Sequence, residues 1–302
     1  MNRKSVTIKW GKCGNGNSFI KHYLFQQRIL FKTLILFVST FIMLSSTSFA
    51  TQKTLAGKDA NRLQSGHSFE IGPVFNYFEY KESDVDWTGN MAGVMGKYTY
   101  CSPTGFIFSA ELEYTQDLDV EYDGQTQSGT PVKEDSKVWI VEPRLITGGR
   151  LQINKHSIIN PYFGLGYRYW YDNIEGVGSY KRITEYLYLP IGTNFTHKVS
   201  ENFKWGITLE FDFFLWGRNK SYLSDVDPGF NDLKLDQDSG YGLRASLPCT
   251  YRFLQIEPYI YYWDIGKSDI DFITYYGIQS GWYAVEPDNE TTVYGIRLSF
   301  LF

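Results

Sequence analysis

The chain has 302 residues, of which 18% are aromatic and 21% are charged, and its formal net charge is −4. The first fifty residues hold seven basic residues and no acid, so the remainder has 22 basic against 33 acidic residues and a net charge of about −11. Such an acidic chain lacks the clustered lysines and arginines that neutralise phosphates, which excludes nucleic acid as a partner.

The amino-terminal region has the three-part pattern of a secretory signal peptide. Basic residues precede an uncharged apolar run at residues 33–44, and Ser48 and Ala50 supply the small residues of a cleavage site. The apolar run has about a dozen residues, which is too short for a membrane-spanning helix. We therefore predict a cleaved signal peptide over residues 1–50 and a polar connector over residues 51–65.

Extended segments with alternating side chains follow one another from residue 66 to the end of the chain. The clearest period of two lies between Phe106 and Thr115, where aromatic or aliphatic residues alternate with polar ones. About ten such segments are predicted as strands. They cover residues 67–80, 90–100, 106–115, 137–150, 159–172, 182–196, 203–216, 241–253, 256–265 and 293–302.

Short and long links alternate between the predicted strands. Short links fall near residues 103, 155, 200 and 254, and long links fall near residues 85, 127, 177, 228 and 278. Short turns on one side and long loops on the other are typical of transmembrane β-barrels. We predict an all-β fold, an up-and-down antiparallel transmembrane barrel over residues 66–302, with about ten strands and with eight to twelve as the range.

Six prolines fall inside the predicted strands, although a closed barrel has no edge strand to accommodate them. Four of them lie near the ends of strands that carry the short links, where a bulge is tolerated. Pro143 and Pro190 fall in strand interiors, and nothing in the sequence explains them.

The final strand has one apolar and aromatic face and one face that carries Arg297. It resembles the carboxyl-terminal assembly signal of bacterial outer-membrane β-barrels, and the residues of that signal are Tyr294, Ile296, Leu298, Phe300 and Phe302. Residues 160–166, NPYFGLG, resemble a rising strand of small barrels of the OmpA-like and Opa type. The resemblance implies a porin-like cell-surface protein of a Gram-negative outer membrane with both termini in the periplasm. Its implied partners are outer-membrane lipid, lipopolysaccharide and the barrel assembly machinery.

Charged side chains are expected on the lumen face of such a barrel, because its apolar faces meet lipid. Both signs occur in comparable number, and a barrel of eight to ten strands is barely wide enough to be filled by its own side chains. We predict that these charges pair and plug the lumen, with a narrow porin-like channel for ions or small solutes as the alternative. The predicted lumen charges are Glu70, Glu111, Glu113, Glu142, Arg144, Arg168, Glu210, Asp212, Arg244, Arg252, Glu257 and Arg297.

One acidic stretch has part of a calcium-loop pattern. Asp119, Glu121 and Asp123 match positions one, three and five of such a loop, but position twelve is Thr130 and not a bidentate glutamate. We therefore predict a solvated acidic loop, with a Ca²⁺ site as the weaker alternative, and we expect no cofactor.

Five tryptophans recur towards the long-link ends of the strands, and we predict most of them as a membrane-interface girdle, with a sugar-binding platform as the alternative. They are Trp87, Trp139, Trp170, Trp216 and Trp263.

The length of the chain is similar to that of the omptin proteases, and this resemblance implies an acidic pair opposite an Asp and His pair. Asp84 and Asp86 could supply the acidic pair, but His67, His156 and His197 are all predicted at the short-link end. Without a histidine at the long-link end, both a protease and a Ser and His hydrolase lack their general base. We predict a non-enzymatic structural or interaction role, and an outer-membrane hydrolase ranks third after the channel.

Overall fold

The computed structural model describes residues 66–125, 129–176 and 178–302, so the predicted signal peptide and connector lie outside the described residues. The described part holds a short 3-10 helix (Leu223–Asp225) and no helix that is long and apolar enough to cross a membrane. Its strands are β1 (Gly66–Lys81), β2 (Asp86–Cys101), β3 (Phe106–Asp117), β4 (Glu121–Gln125), β5 (Pro131–Gly149), β6 (Leu151–Gln152), β7 (Ser157–Ile174), β8 (Lys181–Lys198), β9 (Phe203–Ser221), β10 (Leu233–Gln237), β11 (Gly240–Ser246), β12 (Cys249–Tyr251), β13 (Leu254–Ile265), β14 (Ile270–Tyr275), β15 (Ile278–Val285) and β16 (Asn289–Leu301).

The strands close into an antiparallel barrel because the first strand pairs with the last. The order around the barrel is β1, β2, β3, β5, β7, β8, β9, β11 with β12, β13 and β16. β11 and β12 together make one barrel strand, since both pair with β9 and with β13. At the closure the amide of Phe69 donates to the carbonyl of Phe302 at 3.1 Å, and the amide of Phe302 donates back at 2.9 Å. The predicted ten-stranded barrel is confirmed.

The two ends of the barrel differ. The links at residues 102–105, 153–156, 199–202 and 252–253 are short, and we call this end the turn end. At the opposite end, the loop end, β4 and β10 extend the barrel wall, and β14 and β15 form a separate hairpin within the last long link. Ile273 and Ala284 of that hairpin pack in one buried cluster with Leu233 and Leu235 of β10.

The outward face of the barrel strands is apolar. Large side chains are exposed on almost every strand, and examples are Phe75, Val94, Leu112, Leu145, Leu165, Leu209, Leu243, Ile260 and Ile296. A soluble protein rarely exposes an apolar belt of this extent, whereas in a membrane barrel this belt meets lipid.

The two prolines in strand interiors lie beside gaps in the strand pairing. The pairing of β5 with β7 skips Glu142 and Pro143, and the pairing of β7 with β8 skips Leu189 and Pro190. Proline has no N–H, so it cannot donate to a ladder. With its other neighbouring strand each proline stays in register. Pro143 is opposite Leu112 of β3, and Pro190 is opposite Asp212 of β9.

The girdle prediction is wrong for three of the five tryptophans. Trp87, Trp170 and Trp263 are at most 1% exposed and lie inside the lumen. They share strand parity with inward residues, as Trp170 does with Arg168 and Asp172, so the alternation of the strand turns them away from lipid.

Candidate functional site: the closed lumen

A central charge network crosses the middle of the lumen. It comprises Glu142, Arg144, Arg168, Tyr188, Glu210, Asp212 and Arg244. Arg244 is its centre, because its Nε lies 2.6 Å from Asp212 Oδ2 and 3.2 Å from Glu210 Oε1, and its Nη2 contacts Glu142. The network contains three carboxylates and three guanidinium groups, so its net charge is zero.

The remaining contacts connect this network to strands β3, β5 and β7. Arg168 Nη1 lies 3.1 Å from Glu142 Oε2, and Arg144 bonds Glu210 while its Nη1 lies 3.4 Å from Glu111 Oε2. Arg244 and Glu210 are directly opposite in the pairing of β11 with β9, which fixes their distance by backbone register. Buried charges of opposite sign that are held by several hydrogen bonds are costly to separate.

Glycines on the lumen face make room for the network. A Cβ on Gly166 would lie 2.2 Å from the ring of Tyr188, so only glycine leaves space for that tyrosine. The hydroxyl of Tyr188 donates to Glu142 and lies 3.0 Å from Arg244 Nη2. The lumen space beside this glycine is therefore filled by a side chain from the neighbouring strand.

An aromatic layer lies above the network, towards the loop end. It comprises Phe78, Tyr80, Trp87, Tyr122, Trp170, Tyr186 and Trp263, which are all at most 2% exposed. Edge-to-face contacts link five of these rings, with centroids 4.8 Å apart for Tyr80 with Trp170 and for Trp87 with Tyr122. Tyr186 and Trp263 lie in a second cluster, with their centroids 5.8 Å apart. Because these rings are almost wholly buried, they occupy the lumen at this height.

A loop-end cluster of charges covers the aromatic layer. We define it as Glu82, Asp172, Arg182 and Glu286. Arg182 lies 3.3 Å from Asp172, 3.5 Å from Glu286 and 3.7 Å from Glu82, so one guanidinium faces three carboxylates. The hydroxyl of Tyr80 lies 2.7 Å from Glu82 Oε1 and 3.1 Å from Glu286 Oε1, so its single proton is shared between the two carboxyl groups. Burial, reinforced by the charge of Glu286, raises the pKa of Glu82 in the first loop to about 8.

The turn-end half of the lumen is hollow. A cavity of about 700 Å³ extends from Glu142, Arg144 and Arg244 of the central network to turn residues that include His156 and Asn202. The lumen is thus open towards the turn end and closed by three successive layers towards the loop end.

Comparison with known proteins gives the fold of this barrel. No family model and no curated protein matches the sequence. The crystal structure of the outer membrane protease OmpT from Escherichia coli matches over 82% of this chain and 99% of that chain, at 12% identity and a TM-score of 0.52. This chain has the fold of an outer-membrane β-barrel. The toluene transporter TbuX of Ralstonia pickettii covers 79% of this chain and 89% of its own at 7% identity (TM-score 0.37), and Ail of Yersinia pestis covers 79% and 100% at 9% identity (TM-score 0.30).

Most of the predicted lumen charges lie inside this outer-membrane barrel and contact one another. Besides the central network, Arg297 lies 2.7 Å from Glu113 and 3.4 Å from Glu257. Two predicted residues differ: Glu70 accepts only a 3.4 Å hydrogen bond from Gln255, and Arg252 lies in the last short turn with a positive φ of 54°. Neither makes an ion pair with the residues that the structure describes.

Several residues of the lumen were not predicted from the sequence. Lys97 lies 3.1 Å from Glu111. It is on the same face of β2 as the buried Met95, so strand alternation indicates that it points into the lumen. Asp172 and Arg182 stand opposite each other in the pairing of β7 with β8. The loop carboxylates of the loop-end cluster follow no strand periodicity, so no sequence pattern identifies them.

The residues of the weak metal pattern are directed to different partners. Asp119 accepts hydrogen bonds from the backbone N of Asn90 at 2.5 Å and from its Nδ2 at 2.9 Å, and these bonds lower the pKa of Asp119. Glu121 pairs with Lys133 at 2.8 Å. Asp123 stands opposite Asp86 in the pairing of β4 with β2. Across the described ranges no three carboxylate, histidine or cysteine side chains are grouped to hold a metal ion.

The three histidines of the described residues lie at the turn end. His67 is the second residue of β1 and its Nδ1 lies 2.8 Å from the hydroxyl of Tyr98, and His156 is in a short turn. His197 Nδ1 lies 3.0 Å from Ser157 Oγ. Asp84 and Asp86 stand at the opposite end of β1 and β2 from these imidazoles.

Proposed function

We propose that this protein is a non-enzymatic, non-conducting surface barrel of the outer membrane whose acidic loop end makes its external contacts. One observation carries the proposal, namely the three closed layers inside the lumen. An ion that crossed the barrel would have to pass the central charge network, the aromatic layer and the loop-end cluster in turn. A conducting filter usually has a lining of one dominant sign and an open path, and neither feature is present in the described lumen.

The energetic argument concerns the central charge network. Breaking a buried pair by removing one partner typically costs about 3–5 kcal/mol, because the other charge stays buried without compensation. Arg244 alone contacts three carboxylates. Opening a path through this layer would separate several such pairs at once, so the network acts as a permanent plug.

The loop end supplies the surface for external contacts. The link between β9 and β11 contains five aspartates, which are Asp225, Asp227, Asp232, Asp236 and Asp238. Some of their charge is neutralised within the loops, as for Asp236, which pairs with Arg218 at 2.6 Å. An acidic loop face favours solvent, divalent cations between it and lipopolysaccharide, or a basic partner surface.

A liposome-swelling assay tests the closed lumen. Protein purified from outer membranes and reconstituted into liposomes should give no swelling in small sugars or amino acids above that of empty liposomes, while a general porin reconstituted in parallel should swell rapidly. Solute entry that rises with the amount of protein would favour the second candidate, a narrow channel, which is supported by the hollow turn-end half of the lumen.

A proteolytic function is less well supported. The fold is similar to that of a protease, but at 12% identity this likeness concerns the fold. The described residues place no histidine beside Asp84 or Asp86, so the general base of a hydrolase is missing there. Incubation with a peptide library should give no cleavage. Cleavage that disappears in the Asp84→Asn/Asp86→Asn variant would overturn the non-enzymatic assignment.

A further inference from the structure

The hollow turn-end half of the lumen has the properties of a small-molecule site. Its volume of about 700 Å³ lies within the usual range of such sites. Its ceiling is the central charge network, and its mouth lies among the short turns. Because three layers close the loop end, a solute reaches this cavity from the turn end alone, which is the periplasmic side in the predicted orientation.

The deep wall of the cavity is already paired. Glu111 contacts both Lys97 and Arg144, while Glu113 and Glu257 share Arg297. Counted apart from the neutral central network, to which Arg144 belongs, this wall has three carboxylates against Lys97 and Arg297 and a net charge of about −1, so it would not attract an anion.

The mouth of the cavity is different, because cations outnumber acids there. Arg150, Lys204 and Arg252 line it together with a single acid, Glu70, apart from the pair of Lys198 with Glu201, which neutralises itself at 2.8 Å. Within the described residues neither Lys204 nor Arg252 makes an ion pair shorter than 4.0 Å. The mouth therefore has a net charge of about +2. The Arg252 guanidinium lies 5.5 Å from the centroid of the Tyr251 ring, a contact that leaves its N–H donors for a ligand.

Between the mouth and the ceiling, the wall offers unused hydrogen-bonding groups. The Nε of Arg144 and the Oδ1 of Asn160 are buried and have no hydrogen-bond partner in the described structure, and both residues line the cavity. Thr208 and Ser246 add hydroxyl groups to the same wall. A buried donor or acceptor without a partner is unfavourable until a ligand or ordered water satisfies it.

We propose that the turn-end cavity binds a small anionic solute, a carboxylate or phosphate carried on a hydroxylated or amide-bearing body, which enters from the periplasmic side. The anionic group sits between Lys204 and Arg252 at the mouth, where charge-assisted hydrogen bonds are strongest. The polar body reaches the unused groups of Arg144 and Asn160. This site goes beyond the proposed surface function and does not require conduction.

A thiol placed in the cavity tests the proposal. In a Cys13→Ser/Cys101→Ser/Cys249→Ser background, Thr208→Cys puts the single thiol of the chain on the cavity wall of protein purified from outer membranes in detergent. The rate of each methanethiosulfonate reagent at this thiol is divided by its rate with a free thiol in solution. This normalised rate should be about tenfold or more higher for an anionic reagent than for a cationic one, because the cationic mouth concentrates anions. Citrate, a carboxylate, and glycerol 3-phosphate, a phosphate, should each protect the thiol from reaction, and glycerol should not. If only one of the two anions protects, the site binds that class of anion.

Matched variants identify the residues responsible. Lys204→Gln/Arg252→Gln should abolish both the rate preference and the protection, whereas Lys267→Gln, an exposed lysine at the loop end, should leave both unchanged. Equal normalised rates for the two reagents, failure of both anions to protect, or the same loss in the Lys267→Gln variant would overturn the site. None of these outcomes affects the closed lumen, which solute-flux experiments test separately.

Discussion

Replacement of Arg244 by methionine is the most direct perturbation of the plug. The change removes the cation that contacts Asp212, Glu210 and Glu142. Glu142 keeps Arg168 at 3.1 Å and Glu210 keeps Arg144, but Asp212 loses its only ion pair among the described residues. A buried carboxylate that is left without its partner typically lowers the free energy of unfolding by about 3–5 kcal/mol. We expect the variant to lose stability by this amount.

The assay is reversible urea unfolding of the barrel in lipid vesicles, followed by tryptophan fluorescence. With an m-value of about 2 kcal/mol per molar urea, the midpoint should fall by about 2 M. Arg244→Met/Asp212→Asn should recover most of the lost stability, because the second substitution removes the unpaired charge of Asp212. Arg218→Met is the control: this arginine pairs with Asp236 in a partly exposed position, and its loss should move the midpoint by less than about 0.5 M. A midpoint for Arg244→Met equal to that of the control, or no recovery in the double variant, would refute the reasoning.

Two further predictions concern the loop-end cluster and the barrel closure. The pKa of Glu82 is about 8 in the folded protein against 4.5 for a free side chain, so the folded state holds a proton that the unfolded state releases between these values. Stability should therefore fall as pH rises from about 4.5 to 8 and level off above, and Glu82→Gln should flatten this slope in urea titrations at pH 5 and 8.5; an unchanged slope would refute the assignment. Phe302→Ala should slow membrane assembly, measured as the folded fraction by heat-modifiable gel mobility after a pulse of expression, whereas Phe253→Ala, an exposed aromatic in the last short turn, should not; equal rates for the two variants would leave the terminal residue without a special role.

Strand alternation explains how much of the fold could be predicted. In β3 and β16 one face is apolar and the other polar, so both the strands and their inward residues follow from a period of two. The same rule places Trp87, Trp170 and Trp263 on the lumen face, whereas their aromatic type alone predicts a position at the membrane interface. The lumen face of this barrel is partly aromatic, and residue type alone does not separate a buried ring from a lipid-facing one.

The remaining features depend on contacts between distant parts of the chain. Glu82 and Glu286 lie in loops without periodicity and meet Arg182 only after the barrel has closed. The missing N–H of Pro143 and Pro190 explains why each interrupts a ladder, but that both gaps face β7 follows from the strand order of the barrel, which no local pattern encodes. The turn-end cavity likewise results from which strands face one another across the lumen. These features depend on the tertiary structure of the barrel, so a single sequence predicts the strands better than the contacts between side chains inside the lumen.

Single-channel conductance is the measurement that tests the closed lumen most directly. The purified barrel is inserted into a planar bilayer and held at voltages of both signs, with a general porin as the positive control in the same bilayer. The three closed layers predict a silent protein with no stable openings. Steady, reproducible openings whose ion selectivity changes in the Arg168→Ala variant would contradict the account, because the charges would then line a passage instead of plugging it.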